Sequence, residues 1–291
     1  MPLDFFDHWG MAMIQSLWSG AAHLFFLAAS FLGEAGFLVA LVLACWWCVD
    51  RRLGEGMMLS LYASISLNGF LKDLFRRPRP FLNPDFAAHR YLALEGPVAT
   101  VPLAESWPFP SGHSQCAAAA ALALWLRYRR WWVGLPGLGA ALLVMASRVY
   151  LGVHYPTDTL MGALLGVLVS WAVWLLARRG VSTLQVMAGA VLLASLALFW
   201  SPSPDSIRAA GLGAGALAGL AFEGRFVGFQ VRGPWWKRAL RLVLGAVFLM
   251  GLRLLLRGLL PEGDVFLWLR YALLGLAAAG LWPAAFTKLK L

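Results

Sequence analysis

The sequence predicts an all-α, polytopic membrane bundle, and three observations carry that prediction. Sixty per cent of the 291 residues are hydrophobic and only 13% are charged, where a soluble domain runs near a quarter charged. The mean hydropathy is +0.71, and apolar runs long enough for a hydrocarbon core of ~30 Å recur along the chain. Arginine and lysine collect at the ends of those runs, the pattern of loops held on the cytoplasmic face.

In chain order, residues 1–9 carry Asp4 and Asp7 and lack a basic start, so no cleavable signal peptide is expected. Residues 11–31 and 35–49 are apolar. They suit an interfacial helix followed by a span, two tightly turned spans, or one broken span. A helix is expected over 56–72, then a polar, proline-bearing loop over 73–107. Helices over 112–126 and 132–147 flank Arg127-Tyr128-Arg129-Arg130, and another spans 157–177. Four more apolar runs follow at 184–200, 207–222, 239–256 and 265–286, for nine or ten spans in all. Ser201-Pro202-Ser203-Pro204 and Pro261-Glu262-Gly263-Asp264 read as turns. Gly211, Gly215 and Gly219 give one helix a smooth face for close packing.

The net charge of +10 raises nucleic acid as a partner, but its distribution excludes it. Arg51-Arg52, Arg127 to Arg130, Arg178-Arg179 and Lys237-Arg238-Arg241 all sit at the ends of apolar segments, as topology signals do. Cys45-Trp46-Trp47-Cys48 matches a redox spacing, yet it lies in an apolar helix without the strand–helix context such a pair needs. Packing is the expectation there, and for Cys116 as well.

Three stretches carry chemistry. Lys72 and Arg79 are seven apart at a helix end, with Arg79 fixed between Pro78 and Pro80. Arginine's planar fork suits two phosphate oxygens, and lysine adds a compact charge. Arg76 and Arg77 fit a juxtamembrane anchor better. Pro110-Ser111-Gly112-His113 opens a helix. Serine is a natural N-cap, and glycine lets backbone amides approach an anion at the positive helix end. A plain cap leaves His113 unexplained, and an ionisable group at a membrane edge is a functional candidate. Finally, Ser147-Arg148 precedes His154, with Asp158 four residues beyond. That spacing sets a carboxylate against an imidazole, fixing its tautomer and stabilising its cation. A helix-start carboxylate favoured by the dipole would explain Asp158 alone, but not the set.

Counting crossings puts all three stretches on one membrane face, opposite Arg51-Arg52, Arg127 to Arg130 and Arg178-Arg179. The positive loops face the cytoplasm, so the site is expected to open on the extracytoplasmic side of a bacterial-type inner membrane. Three cations, two imidazoles and one carboxylate form a kit for breaking a phosphate ester without a metal.

Lys72-x6-Arg79-Pro80, Pro110-Ser111-Gly112-His113 and Ser147-Arg148-x5-His154-x3-Asp158 together resemble the signatures of the type 2 phosphatidic acid phosphatase/vanadium haloperoxidase superfamily. Every signature position is filled. The resemblance implies a six-helix-type phosphatase core over 34–180; residues 1–33 before it read as an interfacial or membrane helix, and the apolar runs beyond it as about four transmembrane helices over 181–291 with no assigned role. It implies that His154 attacks phosphorus and forms a phosphohistidine, that His113 protonates the leaving alcohol, and that Asp158 orients His154. Lys72, Arg79, Ser111, Gly112 and Arg148 would hold the phosphate, with no metal and no cofactor. The expected partner is a lipid phosphate in the bilayer, a phosphomonoester or a diphosphate. Text around the motifs, such as Phe31-Leu32-Gly33-Glu34 and Trp107-Pro108-Phe109-Pro110, looks like bacterial relatives of sphingosine-1-phosphate phosphatases. A head-group phosphotransferase, a vanadate-dependent halide oxidase and a transporter using the same scaffold are the alternatives.

Overall fold

The computed structural model describes residues 2–86, 89, 107–200 and 202–291. Most of the loop expected over 73–107 therefore lies outside the described residues, as does Ser201 of the first expected turn. Every regular element among them is helical. The order is α1 (Pro2–Gln15), α2 (Gly20–Phe31), α3 (Ala35–Ala44), α4 (Arg51–Phe75), α5 (Gly112–Tyr128), α6 (Trp131–Tyr150), α7 (Pro156–Arg178), α8 (Thr183–Trp200), α9 (Pro204–Phe226), α10 (Trp235–Leu259), α11 (Asp264–Leu276) and α12 (Trp282–Lys288). Short π segments at Cys45–Val49 and Ala277–Leu281 follow α3 and join α11 to α12.

Among the described residues, α6, α7, α8, α10 and the continuous stretch Asp264–Lys288 are long and apolar enough to cross a membrane. The helix pair Asp4–Gln15 and Gly20–Phe31, bent by 118°, adds a sixth if counted as one broken span. The chain is thus a multi-pass membrane protein. α9 lies outside that group: its uncharged stretch runs only from Ala209 to Phe222, between Arg208 and Glu223, and is rich in glycine and alanine.

The chain forms two compact units, residues 1–38 with 68–172, and residues 39–67 with 173–291. In the first, α5 and α6 pack through a small-residue seam of Ala117, Ala121, Ala141 and Val144. Gly162 and Gly166 of α7 meet the backbone of Ser111 and Gln115 so closely that a Cβ at either would collide with a carbonyl oxygen. Small residues four apart are how membrane helices approach at backbone distance. α1 and α2, which the sequence left undetermined, bury the turn between α6 and α7. Met11 and Phe86 cover Val149 and Tyr155, while Phe26 stacks on Tyr150 at 4.2 Å beside Leu151 and Val153.

In the second unit, Gly211 and Gly215 of α9 lie against the carbonyls of Trp268 and Ala272 of α11, as the four-residue repeat predicted. Trp46, Trp47, Trp282, Phe229 and Phe286 form its aromatic core. Cys45 is buried, and Cys48, packed against that core, donates to the Arg238 carbonyl at 3.0 Å. Both are packing residues. Arg51, expected as a topology signal, has a packing role besides: its guanidinium donates to Glu223 Oε1 at 2.9 Å and to Glu55 Oε1 at 2.9 Å. Arg241 is buried, donating to the carbonyls of Trp47 and Arg232. Basic residues at membrane-helix ends can set topology and also tie helices together; periodicity reveals only the first role.

Candidate active site

All eight residues expected to form the site fall in the first unit. Lys72 lies in the last turn of α4, and Arg79 leads into a short 3₁₀ turn that Pro80 begins. Ser111 caps α5 as expected, its Oγ accepting from the Ser114 amide at 3.4 Å and the Ser114 hydroxyl at 3.1 Å. The Ser111 amide donates to the Asp158 carbonyl at 3.0 Å, joining the second and third stretches directly. From α4, the buried Asn68 donates to the Pro110 carbonyl at 3.0 Å and to Gln115 Oε1 at 2.9 Å. A Cβ on Gly112 would stand 3.1 Å from Asn68 Oδ1, so glycine is what lets this loop lie against α4. Asn68 and Gln115 were assigned nothing from sequence, because an amide inside an apolar helix has no diagnostic spacing.

The third stretch is a tight turn through Gly152, at φ 71°, where glycine is at home. Arg79 Nη1 donates to the Val153 carbonyl at 2.9 Å and so braces the residue before His154. His154 is 2% exposed and Asp158 is fully buried. His154 Nδ1 lies 3.4 Å from Asp158 Oδ2 without forming a hydrogen bond. Asp158 is third in α7, and its Oδ2 accepts the Tyr155 amide at 3.0 Å. That is the carboxylate half of a capping box, so capping and facing the imidazole are two uses of one side chain.

Asp158 has a second support that the sequence concealed. Arg77 Nη1 donates to Asp158 Oδ1 at 2.8 Å and to Thr157 Oγ1 at 2.7 Å, and Nη2 to Asp7 Oδ2 at 2.7 Å. The guanidinium carbon lies 3.7 Å from the centre of the Tyr155 ring. Asp7, fully buried, also accepts the Thr157 amide at 2.9 Å. Arg77 is therefore no membrane anchor but the hub of an Asp7–Arg77–Asp158 chain. Arg76, by contrast, is exposed and donates to the Asp73 carbonyl at 2.9 Å.

On the other side, His113 Nε2 lies 3.1 Å from Glu34 Oε1, in the turn between α2 and α3. Arg148 Nη1 donates to Ser30 Oγ of α2 at 2.7 Å.

Charge follows from this placement. Burial, and then the positive fields of Arg79, Arg148, Lys72 and His113, push the His154 imidazole well below the usual histidine range. It is neutral at neutral pH, with a lone pair to offer. The hydrogen bond to His113, and the charges of His113 and Arg148, hold the Glu34 carboxyl below the usual carboxylate range against burial. The first unit thus gathers a neutral imidazole, three cations around it, and a second imidazole beside a carboxylate. Such a site stabilises negative charge gathering on a phosphoryl group under attack.

Residues 55–181 match the model of the PAP2 superfamily, and residues 207–291 match the transmembrane extension of PAP2 superfamily phosphatases. Phosphatidylglycerophosphatase B of Bacillus subtilis is 33% identical over 49% of this chain and 68% of its own length. An undecaprenyl-diphosphatase of Sulfolobus acidocaldarius is 34% identical over 42% of this chain and 53% of its own. The crystal structure of a Bacillus subtilis transmembrane PAP2-type phosphatidylglycerolphosphate phosphatase aligns with a TM-score of 0.48 at 25% identity, covering 60% of this chain and 85% of that one. The chain spans 53% and 61% of the first two curated relatives. These names lend no support to the expected sphingosine-1-phosphate likeness. With its three signature stretches folded around one buried imidazole, and with the extent of the match to its Bacillus relative, this chain belongs to the PAP2 superfamily.

Proposed function

We propose that this protein is an integral-membrane lipid phosphatase that hydrolyses a lipid phosphomonoester or diphosphate through a phosphohistidine on His154. The observation that carries this reading is the buried His154, neutral between Asp158 and the fields of Arg79, Arg148 and Lys72. With Nδ1 turned toward Asp158, Nε2 is the nitrogen left to attack phosphorus. The P–N bond forms as the P–O bond to the lipid alcohol breaks, and His113 gives its proton to the departing oxygen. Water then attacks the phosphohistidine, His113 takes a proton from it, and phosphate leaves with the His154 electron pair restored as the P–N bond breaks. Lys72, Arg79, Arg148, Ser111 and the Gly112 amide hold the phosphoryl oxygens, and Asp158 stabilises the cationic His154.

The relatives point to undecaprenyl diphosphate and phosphatidylglycerophosphate as the first substrates to try. Residues 34–180 form the catalytic core in this reading, and the helices beyond are an extension to it. The site opens on the extracytoplasmic face.

The deciding experiment is phosphate release from a panel of lipid phosphates by purified protein in detergent, beside His154→Ala. The wild type is expected to release phosphate and form an acid-labile phosphoenzyme. The variant is expected to do neither, and label retained in it would end the nucleophile assignment. Sidedness is tested separately, with Asp85→Cys expected to label from outside intact cells and Arg129→Cys expected not to. The reverse pattern inverts the topology.

A further inference from the structure

Glu34 has no place in the chemistry just described, although it contacts one of its two histidines. Its carboxylate meets His113 Nε2 at 3.1 Å. The approach is built rather than incidental. A Cβ on the preceding Gly33 would stand 2.8 Å from Val144 Cγ1 and 3.1 Å from both Cβ and Cδ2 of His113. The absent side chain is therefore what lets the α2–α3 turn press its carboxylate against the ring. Ser30, one helical turn earlier, accepts from Arg148 at 2.7 Å and secures the same segment from a second direction.

We infer that Glu34 is the positioning carboxylate of His113, holding its imidazolium by Nε2 so that Nδ1 delivers the proton to the leaving oxygen. The inference rests on the reading of His113 as the general acid. The charged groups acting on His113 explain the need. Burial first, then Arg148 from α6 and Lys72 from α4, oppose a proton on this ring and hold it below the usual histidine range, and among the described residues Glu34 is the carboxylate that acts the other way. In a site crowded with cations for binding phosphate, a negative partner offsets part of that opposition and favours the proton when the leaving oxygen calls for it. The two imidazoles are wired in opposite senses. His154 turns Nδ1 to its carboxylate, leaving Nε2 to attack, and His113 turns Nε2 to its carboxylate, leaving Nδ1 to donate. Glu34 keeps its side chain 44% exposed, so solvent can reach it and restore protons between turnovers.

The test separates leaving groups. A long-chain alkyl phosphate needs its departing oxygen protonated; 4-nitrophenyl phosphate scarcely does. Glu34→Gln is expected to lower kcat on the alkyl phosphate about 10- to 100-fold, less than the ~10²–10⁴-fold that losing general-acid catalysis outright would cost. It should change kcat on 4-nitrophenyl phosphate less than about threefold, with KM nearly constant for both. Glu34→Asp, which keeps the charge on a shorter arm, should recover part of the loss. In a His113→Gln background, Glu34→Gln should add nothing. Equal loss on both substrates, or a Glu34→Asp variant no better than Glu34→Gln, overturns the inference. So does an additive effect on top of His113→Gln. If His113→Gln itself loses both substrates equally, the general-acid reading fails. If it discriminates and Glu34→Gln does not, only the role of Glu34 fails.

Discussion

The two units bury charge in opposite styles. In the second, Arg51, Glu55 and Glu223 satisfy one another, and Glu223 also accepts the Phe229 amide at 2.8 Å. Arg241 spends its donors on backbone carbonyls. In the first, the fields of Lys72, Arg79 and Arg148 converge on an imidazole, while the carboxylates sit behind the histidines. Burial of charge is therefore no sign of a site by itself. What separates the two is whether opposite charges close on each other or same-sign charges surround a buried imidazole. The first arrangement fastens helices; the second stores electrostatic potential for a ligand.

That contrast breaks most readily at the Asp7–Arg77–Asp158 chain, which belongs to the site through Asp158 yet touches no expected phosphate position. Arg77→Ala is expected to lower kcat about 10- to 100-fold, comparable to losing an outer-shell partner of a metal-ligating histidine. Asp7→Asn should give a smaller loss in the same direction. Arg76→Ala, one residue away on an exposed side chain, should leave kcat within about twofold. If Arg76→Ala and Arg77→Ala behave alike, Arg77 is an anchor after all.

The smallest effect on turnover is expected in the second unit. Glu223→Gln leaves Arg51 without its buried carboxylate, at a cost on the order of 3 kcal/mol. Arg51 is a third exposed, which keeps the cost at the low end of what a broken buried pair involves. Thermal unfolding in detergent should shift downward, while kcat at a temperature where the variant is folded should match wild type. A kcat loss as large as that of Arg77→Ala would erase the distinction between the two units.

Sequence legibility divides along a similar line. Lys72, Arg79, Ser111, Gly112, His113, Arg148, His154 and Asp158 were legible because each lies in a short run whose spacing is itself the signal. The helices were legible within a few residues from apolar length, since a chain in hydrocarbon must satisfy its own backbone. α1 and α2 were not, because an apolar run of that length does not say where it bends; the 118° angle lies at residues 16–19. Asp7 looked like a mark against a signal peptide, and Arg77 looked like one more basic residue beside a membrane.

By itself, the sequence determined the membrane setting, the helical class and the eight residues of the expected site, since composition, period and local spacing are properties of the chain. Tertiary structure alone decided which side chains stand behind them. Glu34 reaches His113 across 79 residues, Ser30 meets Arg148 across 118, and Asp7 joins Arg77 across 70 and Thr157 across 150. No local pattern encodes such pairs. Gly33 makes the first of them possible, since a Cβ there would crowd His113, and a buried carboxylate such as Asp7 has to find donors wherever the packing has brought them.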